Sequence, residues 1–221
     1  MAVKKEVEDR IEIKAIETRF ADIRIVGDTP LLVHAWDPKA KQMMLDNQMG
    51  KTKTKARPKK DPYSDFMGSL YWITERPKDN TPVAFYEAVR NGARFGFQAT
   101  AIKKAANSAA YRMGWVSNQT TLRGSYYIFG DDDPDIVEVK GCIPEMREDM
   151  VAIKGTTDIR FRGEFKNWYI DLKIKYNANG PISLEQILNC INAGGFAVGI
   201  GEWRPEKNGT HGMYHVETET H

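Results

Sequence analysis

The 221-residue chain has few cysteines and no long apolar run, and both absences narrow its class. Its only two cysteines, Cys142 and Cys190, lie far apart in the sequence and form no C-x-x-C pair. We therefore expect neither a zinc site nor a disulfide framework, and a reducing cytoplasm is the expected location.

No apolar run approaches membrane-spanning length, and residues 1–6 lack the apolar core of a signal peptide. No membrane partner is expected.

Catalytic and cofactor motifs are also absent. The sequence has no Walker motif, no H-E-x-x-H and no dinucleotide fingerprint, and no Ser/His/Asp or Cys/His set stands out. The acidic run 131–133 lacks the further spaced ligands of a calcium loop, so a solvated turn is the better interpretation. We expect no metal and no cofactor. A net charge of only +2 does not by itself indicate a polyanionic partner.

What the chain does have is an ordinary globular composition, with 41% hydrophobic and 28% charged residues. This is enough for one core, so we expect a single domain over 1–221 with an insertion at 37–80. Alternating apolar residues predict strands at 19–26, 126–129, 136–139 and about 159–176, with the last a single long strand or a hairpin bent at 166–167. A further strand is predicted from 213, and 130–135 is expected to be a hairpin tip.

Helical patterns separate these strands. Thr81 and Pro82 predict a capped helix start, and Pro38 can begin a helix with Met43 and Met44 on its buried side. Residues 100–113 carry a stripe of small apolar residues that we expect to be buried. Ser183 and Gln186 form a capping box for a helix whose end is expected at Gly194.

The order of elements predicts an α+β fold. Strand, helix, two strands, helix and strand form the β-α-β-β-α-β unit of a ferredoxin-like, RRM-like domain. Such a domain has an antiparallel sheet with both helices on one face and the other face free for a ligand. We expect Ile170, Leu172 and Ile174 to be buried against the helices.

Two segments concentrate basic residues and glycines. The first is an exposed basic arm with Lys51, Lys53, Lys55, Arg57, Lys59 and Lys60, which has no acid before Asp61. The second is the glycine-rich stretch 194–212, where Gly199 and Gly201 precede Trp203, Arg204 and Lys207. Loop N–H groups and cations can hold phosphates, and Trp203 can stack on a base. The alternative is a loop whose glycines serve turns, with Trp203 as a core anchor.

The C-terminal half resembles the RAMP superfamily of CRISPR-associated RNA-binding proteins. The residues that carry the resemblance are the glycine-rich stretch after Leu188 and the segment 97–106, although Gln98 and Ala99 replace the expected glycine before Thr100. The resemblance implies phosphate-facing roles for Thr100, Lys103, Lys104 and Arg112. In the Gly27-Asp28-Thr29-Pro30 turn and the segment 201–205, the whole chain also resembles uncharacterised proteins of bacteriophages and prophages, which implies the host cytoplasm as its location.

These patterns favour a protein that binds single-stranded DNA or RNA without sequence specificity, as a homo-oligomer or filament along the strand. Arg160, Arg162, Lys173 and Lys175 extend the basic surface, interleaved with aromatic residues. Two alternatives remain open. One is a RAMP-type endoribonuclease with His34 as general acid–base, although a histidine between apolar neighbours is more often packed structurally. The other is a phage protein-interaction module that inhibits a host defence. We expect a binding protein, and a nuclease if the protein is an enzyme.

Overall fold

The computed structural model describes residues 15–36, 38–51, 60–153 and 156–218. Within these ranges the strands are β1 (Thr18–Gly27), β2 (Leu31–Val33), β3 (Tyr71–Trp72), β4 (Phe95–Gln98), β5 (Tyr126–Phe129), β6 (Ile136–Val139), β7 (Glu145–Ile153), β8 (Thr156–Phe165), β9 (Tyr169–Asn177) and β10 (Tyr214–Val216). The helices are α1 (Pro38–Gln48), α2 (Pro62–Ser69), α3 (Pro82–Arg90), α4 (Ala99–Arg112), α5 (Gln119–Ser125) and α6 (Leu184–Ala197), with a short 3-10 turn at Pro205–Lys207. The protein is thus of the α+β class, as predicted.

The central sheet has four strands in the order β10-β1-β9-β5, and every neighbouring pair is antiparallel. The predicted core residues of β9, namely Ile170, Leu172 and Ile174, are each no more than 1% exposed. They share one hydrophobic cluster with the alanine stripe of α4 and with Ile187 of α6. The period-2 pattern of β9 therefore identified its buried face correctly, because alternate side chains of a strand point to opposite faces.

Two smaller antiparallel sheets were not predicted. One has the order β2-β8-β7 and the other the order β3-β4-β6. The expected hairpin of 126–139 is wrong, because β5 pairs with β9 whereas β6 pairs with β4. The long strand expected at 159–176 is also two strands, β8 and β9, in different sheets. Trp168 is buried where the chain passes between the two, and its Nε1 donates to the carbonyl oxygen of Thr29 at 2.9 Å.

Sequence signals placed the helix starts better than the helix ends. Thr81 caps α3, and the Ser183–Gln186 capping box of α6 is present in full. The end of α6 was predicted wrongly, because the helix continues through Gly194 to Ala197. At Gly194 the two helices touch: a Cβ there would lie 2.7 Å from the backbone nitrogen of Ala106. The glycine thus serves a close helix–helix contact instead of a left-handed cap.

Helix α1 occupies the predicted residues, but its apolar side chains are not buried. Met43 and Met44 are 59% and 45% exposed, contrary to the burial expected for them. Among the described residues, no helix is long and apolar enough to cross a membrane. Lys53, Lys55, Arg57 and Lys59 of the predicted basic arm lie outside the described residues.

Candidate functional site

A cleft of about 440 Å³ opens between the start of α4 and the loop that follows α6. Six residues selected from the sequence line it together: His34, Thr100, Lys104, Gly199, Gly201 and Arg204. They come from three segments that are far apart in the chain. The cleft is also lined by Trp36, Tyr71, Phe97, Gln98 and Glu202. Aromatic rings, a lysine and polar side chains thus share one concave surface, as in many ligand sites.

The glycine-rich loop reaches the cleft because it packs directly on β2. The N–H of Glu202 donates to the carbonyl oxygen of Leu32 at 2.8 Å, and that of Gly212 donates to the carbonyl oxygen of Pro30 at 2.8 Å. Gly201 has a φ of +78°, and a Cβ there would lie 2.4 Å from the carbonyl oxygen of Leu32. The glycine is therefore required by both backbone conformation and space. Because several loop N–H groups bind backbone carbonyls in this way, the loop offers fewer free donors for an anion than we expected.

The first turn of α4 forms the opposite wall. Its N-cap, Gln98, makes no side-chain capping hydrogen bond, and Thr100 lines the cleft one residue inside the helix. Lys104 follows one turn later, is exposed, and has no ion-pair partner among the residues that the structure describes. A helix N-terminus carries partial positive charge, so this wall favours an anion.

A second cavity of about 550 Å³ continues the cleft along the exposed side of α4. It shares Thr100, Lys104 and Ser108 with the cleft and adds Lys103, Asn107, Gln119 and Arg123. We call the two together the α4 groove. The Lys103 ammonium donates to the carbonyl oxygen of Arg123 at 2.8 Å and lies 4.1 Å from the ring centroid of Tyr127. Partial burial lowers the pKa of Lys103.

Two of the predicted cations are neutralised by one carboxylate. Arg204 Nη2 lies 2.8 Å from Glu206 Oε2, and Arg112 Nη2 lies 2.7 Å from Glu206 Oε1. Arg204 also donates to the carbonyl oxygen of Gly201 at 3.0 Å. The hydrogen bond from Arg204 is the main cause that lowers the pKa of Glu206, with partial burial opposing it. Arg204 therefore holds the loop in place at the edge of the cleft, and its positive charge is already paired with Glu206.

Arg162 is not a surface cation. Its side chain is 1% exposed, and its Nη2 lies 2.8 Å from Asp149 Oδ2, while its Nη1 lies 3.5 Å from Glu202 Oε2. Arg160 is half-buried, with its Nε 3.9 Å from Asp158 Oδ2. The buried Arg162 side chain instead contacts the glycine-rich loop from the protein interior, through Glu202.

Trp203 covers this buried charge and does not line the cleft. Its ring lies 5.9 Å from the Arg162 guanidinium carbon and 5.8 Å from that of Arg147, and it meets His211 edge to face. Trp203 is 41% exposed, so it is not a buried core anchor, and its role in stacking on a base stays a prediction. Lys207 is exposed and lies outside the α4 groove.

Three members of this buried cluster were not selected as site residues from the sequence: Arg147, Asp149 and His211. Arg147 Nη1 lies 2.6 Å from Glu164 Oε1 and donates to His211 Nε2 at 3.0 Å. The signal was present as charges at alternate positions of β7 facing the alternate charges of β8. Desolvation and the Arg147 charge lower the pKa of His211, with Glu164 opposing them.

His34 lies in the cleft. Its ring is exposed at the surface, but neighbouring residues of the protein reduce its contact with water. Loss of solvent lowers the pKa of His34, and Arg160 and Arg162 act in the same direction while Glu202 opposes them. The ring is thus neutral near pH 7 and can accept a proton. Within the described parts of the chain, no group of His, Cys, Asp or Glu side chains is arranged to hold a metal ion.

The described ends of the basic arm lie on the surface. Lys51 is exposed, and the Lys60 ammonium is bound by Asp158 at 2.7 Å and by the carbonyl oxygen of Ile159.

Comparison of the chain with protein-family models and with curated proteins finds no match. The arrangement itself therefore has to indicate the chemistry: a groove with an unpaired lysine, a helix N-terminus and the exposed ring of Trp36 suits a ligand that carries both phosphates and flat rings.

Proposed function

We propose that the protein binds single-stranded nucleic acid in the α4 groove. The observation that carries the proposal is the convergence of Thr100, Lys104 and the glycine-rich loop on one cleft, although they were selected from distant parts of the sequence. The groove offers an anion-favouring wall and the exposed aromatic ring of Trp36. Unpaired bases can stack on such rings, whereas the bases of a duplex are already stacked on each other.

The architecture supports a ferredoxin-like core related to the RAMP superfamily. The sheet order β10-β1-β9-β5 is the order in which a β-α-β-β-α-β unit arranges its fourth, first, third and second strands. In the proposed core, α4 and α6 are the two helices, and the small sheets are additions. We also propose that the protein is phage-encoded and that several copies of it coat one nucleic-acid strand.

The first experiment measures binding of labelled single-stranded DNA, single-stranded RNA and duplex by fluorescence anisotropy over a range of salt concentrations. We expect single strands to bind more tightly than duplex, with affinity that falls as salt rises. Lys104→Ala is expected to weaken binding several-fold and to reduce the salt slope by about 0.7, because one phosphate contact is lost.

Lys78→Ala is the matched control. Lys78 is an exposed lysine in the turn before α3 and lies outside the α4 groove. The Lys78→Ala variant loses the same charge as Lys104→Ala. Comparing the two therefore distinguishes a local phosphate contact from general electrostatic attraction to the nucleic acid. Equal effects of the two variants, or no binding of any nucleic acid, would contradict the proposal. The absence of binding would favour the protein-interaction alternative.

A second candidate is an endoribonuclease of the same groove, favoured by the position of His34. A neutral imidazole in the cleft could take the proton of a 2′-hydroxyl. Incubating labelled RNA with the wild type and with His34→Ala, with and without magnesium, tests this function. Cleavage that is lost in the variant and independent of magnesium is the expected result for a histidine ribonuclease. Intact RNA in both samples leaves the protein as a binding protein.

A further inference from the structure

The cleft at the loop end of the α4 groove has the dimensions of a pocket for one nucleotide. Its volume of about 440 Å³ is at the lower end of the range for small-molecule sites, and it is continuous with the rest of the groove. Lys104 and Thr100 lie on the side shared with that groove. A phosphate at this shared edge would leave the base to enter the cleft.

The walls of the cleft offer a flat apolar surface for a base. Trp36 is 59% exposed although it is a large aromatic residue, and it lines the cleft together with Tyr71 and Phe97. Exposure of this extent means that Trp36 contributes little to the core. Its ring is free to stack on a base, which alanine substitutions in other proteins show to be a substantial part of single-strand affinity.

Among the polar groups that line this cleft, the carboxylate of Glu202 is suited to reading a base. Its Oε2 lies 3.5 Å from Arg162 Nη1, and its Oε1 has no hydrogen-bond partner among the described residues. The carboxylate also influences the other wall, since it raises the pKa of Tyr71 in addition to the larger effect of desolvation. An ionised carboxylate only accepts hydrogen bonds, so it requires a donor on the ligand.

This requirement distinguishes the bases. Cytosine, adenine and guanine each present an exocyclic amino group, and a carboxylate accepts a hydrogen bond from the N4 amino group of cytosine. Thymine and uracil present a ring N–H between two carbonyl oxygens, and these oxygens repel a carboxylate. A pocket built around Glu202 therefore selects against thymine and uracil.

We infer that the cleft receives one unstacked base bearing an exocyclic amino group, held between Trp36 and the Glu202 carboxylate. This inference rests on the proposed function and adds a base preference to an otherwise sequence-tolerant groove. The backbone contacts at Lys104 and Thr100 carry no base information, whereas Glu202 reads the base edge.

The test compares two labelled oligonucleotides of equal length, one of dC only and one of dT only, so that the bases are both pyrimidines of similar size. We expect the wild type to bind the dC oligonucleotide about tenfold more tightly, the order of one good base contact. Glu202→Gln should remove the preference for dC, because with its oxygen on Arg162 the amide presents to the base an NH2 group that donates to a thymine oxygen and does not accept from cytosine. The glutamine oxygen can still accept from Arg162, which preserves the loop anchor.

Two controls make the result specific. Glu185→Gln removes a carboxylate from the exposed first turn of α6, outside the α4 groove, and should keep the preference for dC. Trp36→Ala should weaken binding of both oligonucleotides by similar factors. Binding of dC and dT with equal affinity by the wild type, or an unchanged preference in Glu202→Gln, overturns the inference while leaving single-strand binding intact. Failure of both oligonucleotides to bind overturns the proposed function as well.

Discussion

At the scale of single residues, the molecule places full charges inside the protein where the glycine-rich loop meets β7 and β8. Arg162 and Asp149 are 1% and 5% exposed, and each is the other's partner. Removing such charges from water is costly unless both are paired, and the pairing here also involves Glu202 of the loop. The same contacts that satisfy the charges therefore fix the position of the loop at the cleft.

Arg162→Ala should lower the free energy of unfolding by about 1–3 kcal/mol, because one oxygen of the buried Asp149 carboxylate loses its partner while Arg147 still binds the other. Denaturant titration followed by circular dichroism measures this loss. Lys166→Ala is the control, since Lys166 and Glu145 form a pair whose side chains are 54% and 61% exposed. An exposed pair of this kind contributes little to stability because water and salt screen it. Similar losses in the two variants would show that the buried pair does not anchor the loop.

The same cluster predicts a pH dependence of stability through His211. Arg147 can only donate, so the Nε2 of His211 that receives this hydrogen bond must be unprotonated. Because folding lowers the pKa of His211, the unfolded chain takes up a proton first as the pH falls below about 6.5. Its contribution to stability is therefore complete above that pH and is lost progressively as the pH falls toward the folded-state pKa.

Thermal unfolding between pH 7 and pH 5.5 measures this effect. The melting temperature of the wild type should fall over this range, and that of His211→Gln should fall less, because the variant has no imidazole to protonate there. His34 has a lowered pKa too, so the variant should keep part of the fall. An identical pH dependence in wild type and variant would contradict the arrangement around Arg147.

At the scale of elements, the sequence predicted what depends on local periodicity and missed what depends on distant partners. Spacings of a few residues in the sequence indicate the buried face of β9, the capping box of α6 and the alanine stripe of α4. The partners of β5 and β6 do not follow from local spacing, because both strands show the same alternation of apolar and polar residues whichever sheet they join. Strand β7 was missed because its charges at alternate positions face other charges, and a buried ionic face does not have the apolar alternation that signals a strand.

The site follows the same division. Gly199 and Gly201 were selected from the spacing of glycines, whereas Thr100 and Lys104 were selected only from the resemblance to the RAMP superfamily, and all four line the cleft. The pairing of Arg204 with Glu206 and the burial of Arg162 depend on which side chains the fold brings into contact. Their availability to a ligand was therefore not predictable from charge alone.

The contact between α4 and α6 provides an element-scale test in which helix propensity and packing predict opposite signs. Gly194 lies inside α6, where alanine would be favoured by about 1 kcal/mol on propensity alone. An added Cβ would however lie 2.7 Å from the nitrogen of Ala106 and force the two helices apart. We expect Gly194→Ala to destabilise the protein by about 1–3 kcal/mol in denaturant titration.

Gly124→Ala is the matched substitution, because a Cβ at Gly124 of α5 meets no atom within 4 Å. It should leave stability unchanged or raise it by up to about 1 kcal/mol. Stabilisation by both substitutions would mean that α4 and α6 are not in close contact at Gly194.

At the scale of the whole molecule, the distribution of paired and unpaired charge is more informative than the net charge of +2. Arg112, Arg162 and Arg204 are engaged by carboxylates, whereas Lys104 has no partner in the described ranges. A second surface also carries lysines and rings: the face of the central sheet opposite the helices displays Phe20 and Tyr127, which are 60% and 50% exposed. The account assigns the nucleic acid to the α4 groove and not to this open face.

Ultraviolet cross-linking of bound single-stranded DNA, followed by mass spectrometry of the linked peptides, tests this central claim most directly. The account predicts cross-links at Trp36 and Tyr71, the exposed and half-buried aromatic residues of the cleft. They should disappear in competition with unlabelled single strands and weaken in Lys104→Ala. Cross-links confined to Phe20 would contradict this assignment and place the strand on the open face of the sheet.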